Sequence, residues 1–348
     1  MDNMFEYTTT EQQIKKLKSQ LLSFENEKVA SNILQTYGYY NIINGYRDPY
    51  IIREYGNKKY CADVTFEQIF ELFVLDHGIR DSVLLAMIDL EEHLKAVVAD
   101  IIAQDFGSDY TVYLQRNNYR DRKVSNPKFS RNNILDSMRQ TAESSNKQPI
   151  KYYREHHGAI PPWILLKGVY FGTLVNFIRF FKKEQREKLI RKLYGDVISD
   201  DNIDEYKDIL SDTLFTCLEY RNLAAHGGRI YNYIPSCTIR LFEDKDLQKG
   251  LPQFIAALQF FKYTQPYRRI NDAIKKALNQ YCPKYPNDLE RLERAIGFKI
   301  VEYEYVWVNP KTKKIHNNPH CSGANNCIRV SRDDVENGDF VRCKKCCS

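Results

Sequence analysis

From Phe66 to Ile102 apolar residues recur at three- and four-residue steps, the spacing of one face of an α-helix. A stripe this long has to be covered by other helices, so it commits the chain to a mainly α architecture. Thr65 and Gln68 stand at capping-box spacing at its start, and Gly78 marks the point where it would break. Shorter helices are expected before it. One follows a capping box from Thr8 to Glu11 and carries Ile14, Leu17 and Leu21 on one face. The next carries Val29, Ile33 and Leu34 and stops at Gly38. Tyr37, Tyr39, Tyr40 and Tyr46 crowd around Gly45; the cluster reads as interhelical packing, with stacking on RNA bases as the alternative. Glu91 and Lys95 form an i,i+4 pair in the favourable order, while His77 and His93 read as packed or surface residues.

A length of 348 residues is too great for one small core, so a large domain with an appendix, or two domains, is expected. The hydrophobic fraction of 43% is ample for folding, and a net charge of +6 permits an acidic partner such as RNA without requiring one. No apolar run reaches the roughly 18 residues that span a membrane. Met1 to Glu6 lacks a basic-then-apolar signal layout, so a cytoplasmic protein is expected. Of nine cysteines, five fall between Cys321 and Cys347, which points to a metal site rather than scattered disulfides.

Residues 106–160 differ in texture. Arg116, Arg120, Arg122, Lys123, Lys128 and Arg131 are interleaved with Tyr113, Tyr119 and Phe129, a pattern suited to gripping an RNA backbone and stacking bases; a solvated face is the plainer alternative. Ser144 to Pro149 reads as a loop and His156 to Gly158 as a helix end. Pro161 and Pro162 start a helix whose apolar stripe is Trp163, Leu166, Tyr170 and Leu174. A basic helix from Lys182 to Lys192 and an acidic stretch from Asp200 to Asp212 lead into the most chemically loaded segment, Glu219 to Asn232.

That segment places Arg221, Asn222 and His226 within two helical turns and then breaks the helix at Gly227 and Gly228. His226 sits in the last turn, where the helix dipole favours the imidazolium. Arg221 suits bidentate contact with a phosphate, and Asn222 can orient a neighbour. On an ideal helix Arg221 and His226 are about 140° apart, so they converge on one phosphate through flexible side chains, a loosened last turn or a second copy of the motif.

The order Arg-Asn-x-x-x-His followed by Arg229-Ile230-Tyr231-Asn232 resembles the HEPN signature, Arg-x4–6-His, in the form carried by the Abi family of bacterial abortive-infection proteins (AbiD/AbiF-like). Three further blocks resemble that family: Tyr39-Tyr40 through Gly45-Tyr46, Phe66 to Lys95, and Pro162-Trp163 through Phe171-Gly172-Thr173-Leu174. Tyr231 stands where the family commonly has tryptophan, and Lys167 where it commonly has glutamate. The resemblance spans roughly residues 10–235. It implies a HEPN-type helical bundle with insertions, and a metal-independent endoribonuclease that acts as a toxin-like effector of phage defence, held in check by an RNA partner. It also implies catalytic roles for Arg221, Asn222 and His226, RNA contact by Arg229, and support from Glu91 and Lys95. The motif supplies one histidine for the two tasks of acid and base, so a homodimer joining two motifs is expected. The rival readings are a non-catalytic HEPN protein that holds a small RNA, and a tail that is itself the active centre.

Beyond residue 297 the period changes. Ile300 to Val308 reads as a strand, Asn309-Pro310-Lys311 as a turn, and the tail continues as His316-x4-Cys321-x5-Cys327-x15-Cys343-x2-Cys346. Two ligand pairs flanking a short loop enclose a tetrahedral zinc economically, so residues 298–348 are expected to be a small β-containing, zinc-ribbon-like module with a structural zinc, appended to a helical domain of residues 1–297. Cys321, Cys343 and Cys346 are three ligands, with His316, His320 and Cys327 competing for the fourth. The layout resembles small zinc-binding tails of diverse bacterial proteins, which favours His316. Redox-active thiols are the alternative.

Overall fold

Caps and apolar spacing set the helices. A computed structural model describes residues 7–54, 57–240, 247–297, 305–316, 321–324, 326–331, 335 and 340–346. In chain order these form α1 (Thr10–Ser19), α2 (Glu27–Tyr37), a π-helical turn at Tyr40–Asn44, β1 (Ile51–Glu54) and β2 (Asn57–Tyr60). Then come α3 (Phe66–Phe106), α4 (Tyr110–Tyr113), α5 (Arg131–Ser144), α6 (Ile150–His156), α7 (Pro162–Leu165), α8 (Phe171–Ile178) and α9 (Lys183–Tyr194). The chain continues through α10 (Ile203–Ala225), α11 (Leu251–Gln259), α12 (Gln265–Tyr281) and α13 (Leu289–Ile296) to β3 (Tyr305–Asn309), β4 (Lys314–His316), β5 (Ile328–Ser331) and β6 (Val341–Arg342). The fold is therefore mainly helical, with a small β-sheet near the C-terminus. It divides into two compact units, residues 1–79 with 273–348, and residues 80–272.

Within the first unit, Thr9 rather than Thr8 caps α1: its hydroxyl accepts from Gln12 N, and Gln12 Oε1 accepts from Thr9 N. The Thr-x-x-Glu/Gln pattern fits both positions, and the second leaves Ile14 and Leu17 inward. Leu21, expected on that face, takes a positive φ just past the helix and is exposed, and Leu22 is buried in its place. In α2 the buried residues are Ala30 and Leu34, while Val29 faces out. The tyrosine cluster is largely packing: Tyr37 lies against Phe70 and Phe73, and Tyr46 meets Phe73 edge-on and donates to Asp76 at 2.7 Å. Tyr40 alone of the four is strongly exposed. Tyr50 and Tyr281, 2.7 Å apart, both donate to buried Asp288, which also pairs with Arg291. Burial and these partners push the Tyr281 phenol far up.

Gln68 N donates to Thr65 Oγ1 at the start of α3, and the helix continues unbroken through Gly78. At the other end of the unit, α13 closes on Gly297, whose φ of 86° is the left-handed conformation glycine adopts without strain. The texture change expected at residue 297 thus coincides with a helix end. Ile300, Glu302, Tyr303 and Glu304, expected to begin a strand, lie outside the described residues. The strands that follow form a sheet in the order β5-β3-β4-β6, antiparallel except for β4 with β6. Asn309 Oδ1 accepts from the amides of Lys311 and Thr312 and so builds the β3–β4 turn. Val306, Val308 and Val335 form a small core, with Ile315, Val330 and Phe340 against it.

In the 80–272 unit, α10 packs on α8, α9 and α11. The helix expected from Pro161 is interrupted: α7 tightens into a turn at Leu166–Gly168, and α8 begins at Phe171. The interruption resets the helical phase, so Trp163 and Tyr170, expected to face inward, are exposed. A side chain at Gly168 would lie 2.4 Å from Ile150 Cδ1, so close packing against α6 fixes this turn.

Candidate functional site

Residues Glu219–Gly228 occupy the last turns of α10 and its termination. His226 is the residue at which the helix ends, with φ −98° and ψ 13°. Gly227 follows at φ 72°, a conformation other residues adopt only with strain. Gly228 N donates to Leu223 O at 2.8 Å, which closes the terminus. A methyl at Gly228 would come within 2.2 Å of Leu223 Cδ1, so the second glycine is set by packing rather than by φ. The His226 side chain is exposed and makes no hydrogen bond with a described residue. Arg221 is half-buried; its guanidinium reaches Asn222 Oδ1 at 3.4 Å, and its Nε is buried without a partner. Arg80, on α3, donates to Gly227 O at 3.2 Å and adds a second cation at the negative end of the helix.

The two residues before Arg221 fasten the chain that follows. Glu219 accepts from Tyr233 OH and Ser236 N, each at 2.8 Å, and from Ser236 Oγ and Cys237 N. Burial raises its pKa, but these hydrogen bonds together outweigh burial and hold it below the ordinary value of 4.5. Tyr220 stacks on Phe254 of α11 with centroids 4.0 Å apart and meets Tyr233 edge-on. Earlier in α10, Asp212 holds Arg240 at 2.8 Å. The half-buried Arg221 is thus set in a braced helix end, while Asn222 and His226 are displayed to solvent. Sequence reasoning passed over Arg80 and Glu219; the place of Arg80 beside Ile79 in the long helical block, and the acidic residue two before Arg221, were the signals present.

Glu91 and Lys95 pair at 2.8 Å and are nearly buried, unlike an ordinary surface bridge. Lys167 pairs at 2.9 Å with Glu92 of the same helix, both half-exposed. His93 packs on Tyr263 with centroids 4.6 Å apart, and burial pulls its pKa down.

The basic segment is largely fastened down. Arg116 pairs with Asp136 at 3.3 Å, Arg131 with Asp121 at 3.2 Å, and Arg120 Nε donates to Arg179 O at 2.9 Å. Arg122, Lys123 and Lys128 are exposed. Tyr113 and Tyr119 are not stacking platforms: both are buried, donating to Ile160 O and Tyr113 O, and Tyr119 packs on Phe177.

In the tail, His316 closes β4 and Cys343 follows β6. With Cys321 and Cys346 their ligand atoms lie within 4.8 Å of one another, an arrangement able to hold a metal ion. Cys321 Sγ is 3.9 Å from Cys343 Sγ, too far for a disulfide, and Cys346 Sγ is 3.6 Å from His316 Nδ1. The cluster contains His316 and omits Cys327; His320 and Cys347 lie outside the described residues.

A helical chain that closes a long, braced helix on an arginine–asparagine–histidine terminus matches one family model, that of the Abi-like proteins, over residues 32–232. The match covers more than half of the 348 residues, and the chain belongs to the Abi-like protein family. No curated protein and no solved structure matches it. No helix among the described residues is long and apolar enough to cross a membrane.

Proposed function

We propose that this protein is a HEPN-type endoribonuclease that acts as a toxin-like effector of abortive infection, in the cytoplasm and under the control of an RNA partner. Membership of the Abi-like family supports the role in abortive infection. The chemistry rests above all on one observation: an exposed His226 and a half-buried Arg221 with an unpartnered Nε stand on the same helix end. In the proposed reaction a ribose 2′-hydroxyl attacks the adjacent phosphorus while the 5′-oxygen leaves, giving a 2′,3′-cyclic phosphate. His226 moves the proton, Arg221 stabilises the charge on the phosphorane, and Asn222 positions the histidine or the phosphate. No metal takes part in this step. Arg229, Arg116, Arg120, Arg122, Lys123, Lys128 and Arg131 would contact the RNA, with Arg122, Lys123 and Lys128 the most accessible. A homodimer would bring two motifs together, one histidine as base and the other as acid.

Purified protein incubated with total RNA tests this reading. Cleavage leaving cyclic-phosphate ends, abolished by His226→Ala, is expected. RNA retention by both forms with no cleavage by either would favour the alternative, a scaffold that holds a small RNA. Sedimentation of the active species tests the dimer; full activity in a monomer would overturn it.

For the tail we propose a structural zinc on His316, Cys321, Cys343 and Cys346. Tetrahedral zinc with bonds of about 2.3 Å to sulfur and 2.0–2.1 Å to nitrogen separates two sulfurs by about 3.8 Å and a sulfur from a nitrogen by about 3.6 Å. The separations of 3.9 Å and 3.6 Å fit that donor set.

A further inference from the structure

Four arginines converge on one solvent-open cleft in the 80–272 unit. Arg120 and Arg122 come from the extended segment before α5, Arg179 from the end of α8 and Arg186 from α9; Leu214 and Phe215 of α10 supply an apolar wall. Lys207 and Arg240 also line the cleft, but carboxylates neutralise them. Lys207 pairs with Glu187 and Asp204, and Arg240 with Asp208 and Asp212. Among the described residues none of the four arginines forms an ion pair with a carboxylate, although Arg186 acts on Asp204 at longer range. Arg120 donates to a backbone carbonyl, and Arg179 to Asn176 Oδ1 at 3.1 Å. Arg186 Nε is buried with no partner at all.

Like charges this close repel, and the repulsion grows as water is excluded. Burial, with Arg186, Arg122 and Arg179 adding to it, lowers the pKa of Arg120; burial and Arg122 lower that of Arg179. Asp208, which also lines the cleft, pairs with Arg240, and Asp121 with Arg131, so neither neutralises the four, and Arg179 lies 5.2 Å over the Phe215 ring. A phosphate relieves the repulsion and accepts bidentate hydrogen bonds from guanidinium groups. The neighbouring apolar wall suits a planar base.

We propose that this cleft is a nucleotide-binding site, with phosphate held by Arg120, Arg122, Arg179 and Arg186 and the base against Leu214 and Phe215. The site is distinct from the helix end at His226. Phe215, which lines the cleft, precedes His226 at the end of α10 by eleven residues, about 16.5 Å along the helix axis. The proposal stands whether or not His226 cuts RNA, and it gives Arg120 and Arg122, named above among the RNA contacts, this cleft as their place of contact. The nucleotide could be free or the 5′-end of an RNA chain, since both present the same chemistry.

Calorimetric titration of the full-length protein separates these sources. The probes are ATP, GTP, inorganic triphosphate, and 2′-O-methyl oligonucleotides ending in a 5′-triphosphate, a 5′-monophosphate or a 5′-hydroxyl. The wild type is expected to bind either the free nucleotides or the 5′-phosphorylated oligonucleotides in preference to the hydroxyl form, and that preference names the source. Arg122→Gln with Arg186→Gln should weaken the binding at least about tenfold with the melting temperature unchanged. If the double variant folds poorly, Arg122→Gln alone is the substitution to read, because Arg122 is exposed and supports no other residue. Two results would overturn the proposal. One is no binding of any free nucleotide together with no preference for phosphorylated ends; the other is binding undiminished in the variants.

Discussion

At the residue scale, the helix end separates chemistry from support. The His226 side chain is exposed and makes no hydrogen bond with a described residue, so its replacement should leave the fold intact. His226→Ala is expected to lower RNA cleavage by about 10²–10⁴-fold, the span of lost acid–base catalysis, with an unchanged melting temperature. Glu219 behaves oppositely. Its pKa in the folded chain lies below 4.5, so the unfolded chain binds more protons as the pH falls through that range. The stabilisation it gives is present above about pH 4.5 and lost as the pH falls through its folded value. Melting curves of wild type and Glu219→Gln should therefore differ at neutral pH and converge as the pH falls below 4.5; a constant gap would show that the charge is not what anchors Ser236 and Tyr233. Arg221, Asn222 and His226 were singled out by the resemblance of Arg-Asn-x-x-x-His to the HEPN signature, and the glycine pair placed them at a helix end, where the structure has them. Glu219 was not, because its partners lie beyond the helix, and nothing in a linear spacing shows that Tyr233 and Ser236 turn back.

At the scale of elements, helices were legible wherever one face repeats, as in α3, and less so where packing resets the phase. Trp163 and Tyr170 were expected in a single stripe, but the turn at Gly168 gave α7 and α8 independent phases. The same limit applies to Tyr113 and Tyr119: aromatic residues among arginines look alike whether they stack on bases or fill a core. Packing also governs the end of α10. Gly228→Ala should cost about 1–2 kcal/mol in stability through the clash with Leu223, and should lower cleavage by displacing His226. Urea unfolding and a cleavage assay of that variant measure both effects.

At the scale of the whole molecule, the cysteine-rich tail is expected to depend on its ion. The small core of Val306, Val308 and Val335 is slight for independent stability, so metal removal should expose residues 305–346 to proteolysis. Far-UV circular dichroism, dominated by the helices, should change little. Metal analysis is expected to find one zinc per chain, lost in a Cys343→Ser variant. The fourth member of the cluster was not legible from spacing alone, since His316, His320 and Cys327 stand at comparable separations; the β4–β6 pairing is what brings His316 beside Cys346. If the ion is structural, Cys321→Ser should spare RNA cleavage by the helical part, whereas a tail that was itself the active centre would lose all activity. The central claim is that the terminus of α10 cuts RNA, and sequencing of RNA ends from cells expressing wild type or His226→Ala tests it most directly. Growth arrest with new cyclic-phosphate ends in the wild type only is the predicted result; the same ends in both, or arrest without new ends, would contradict it.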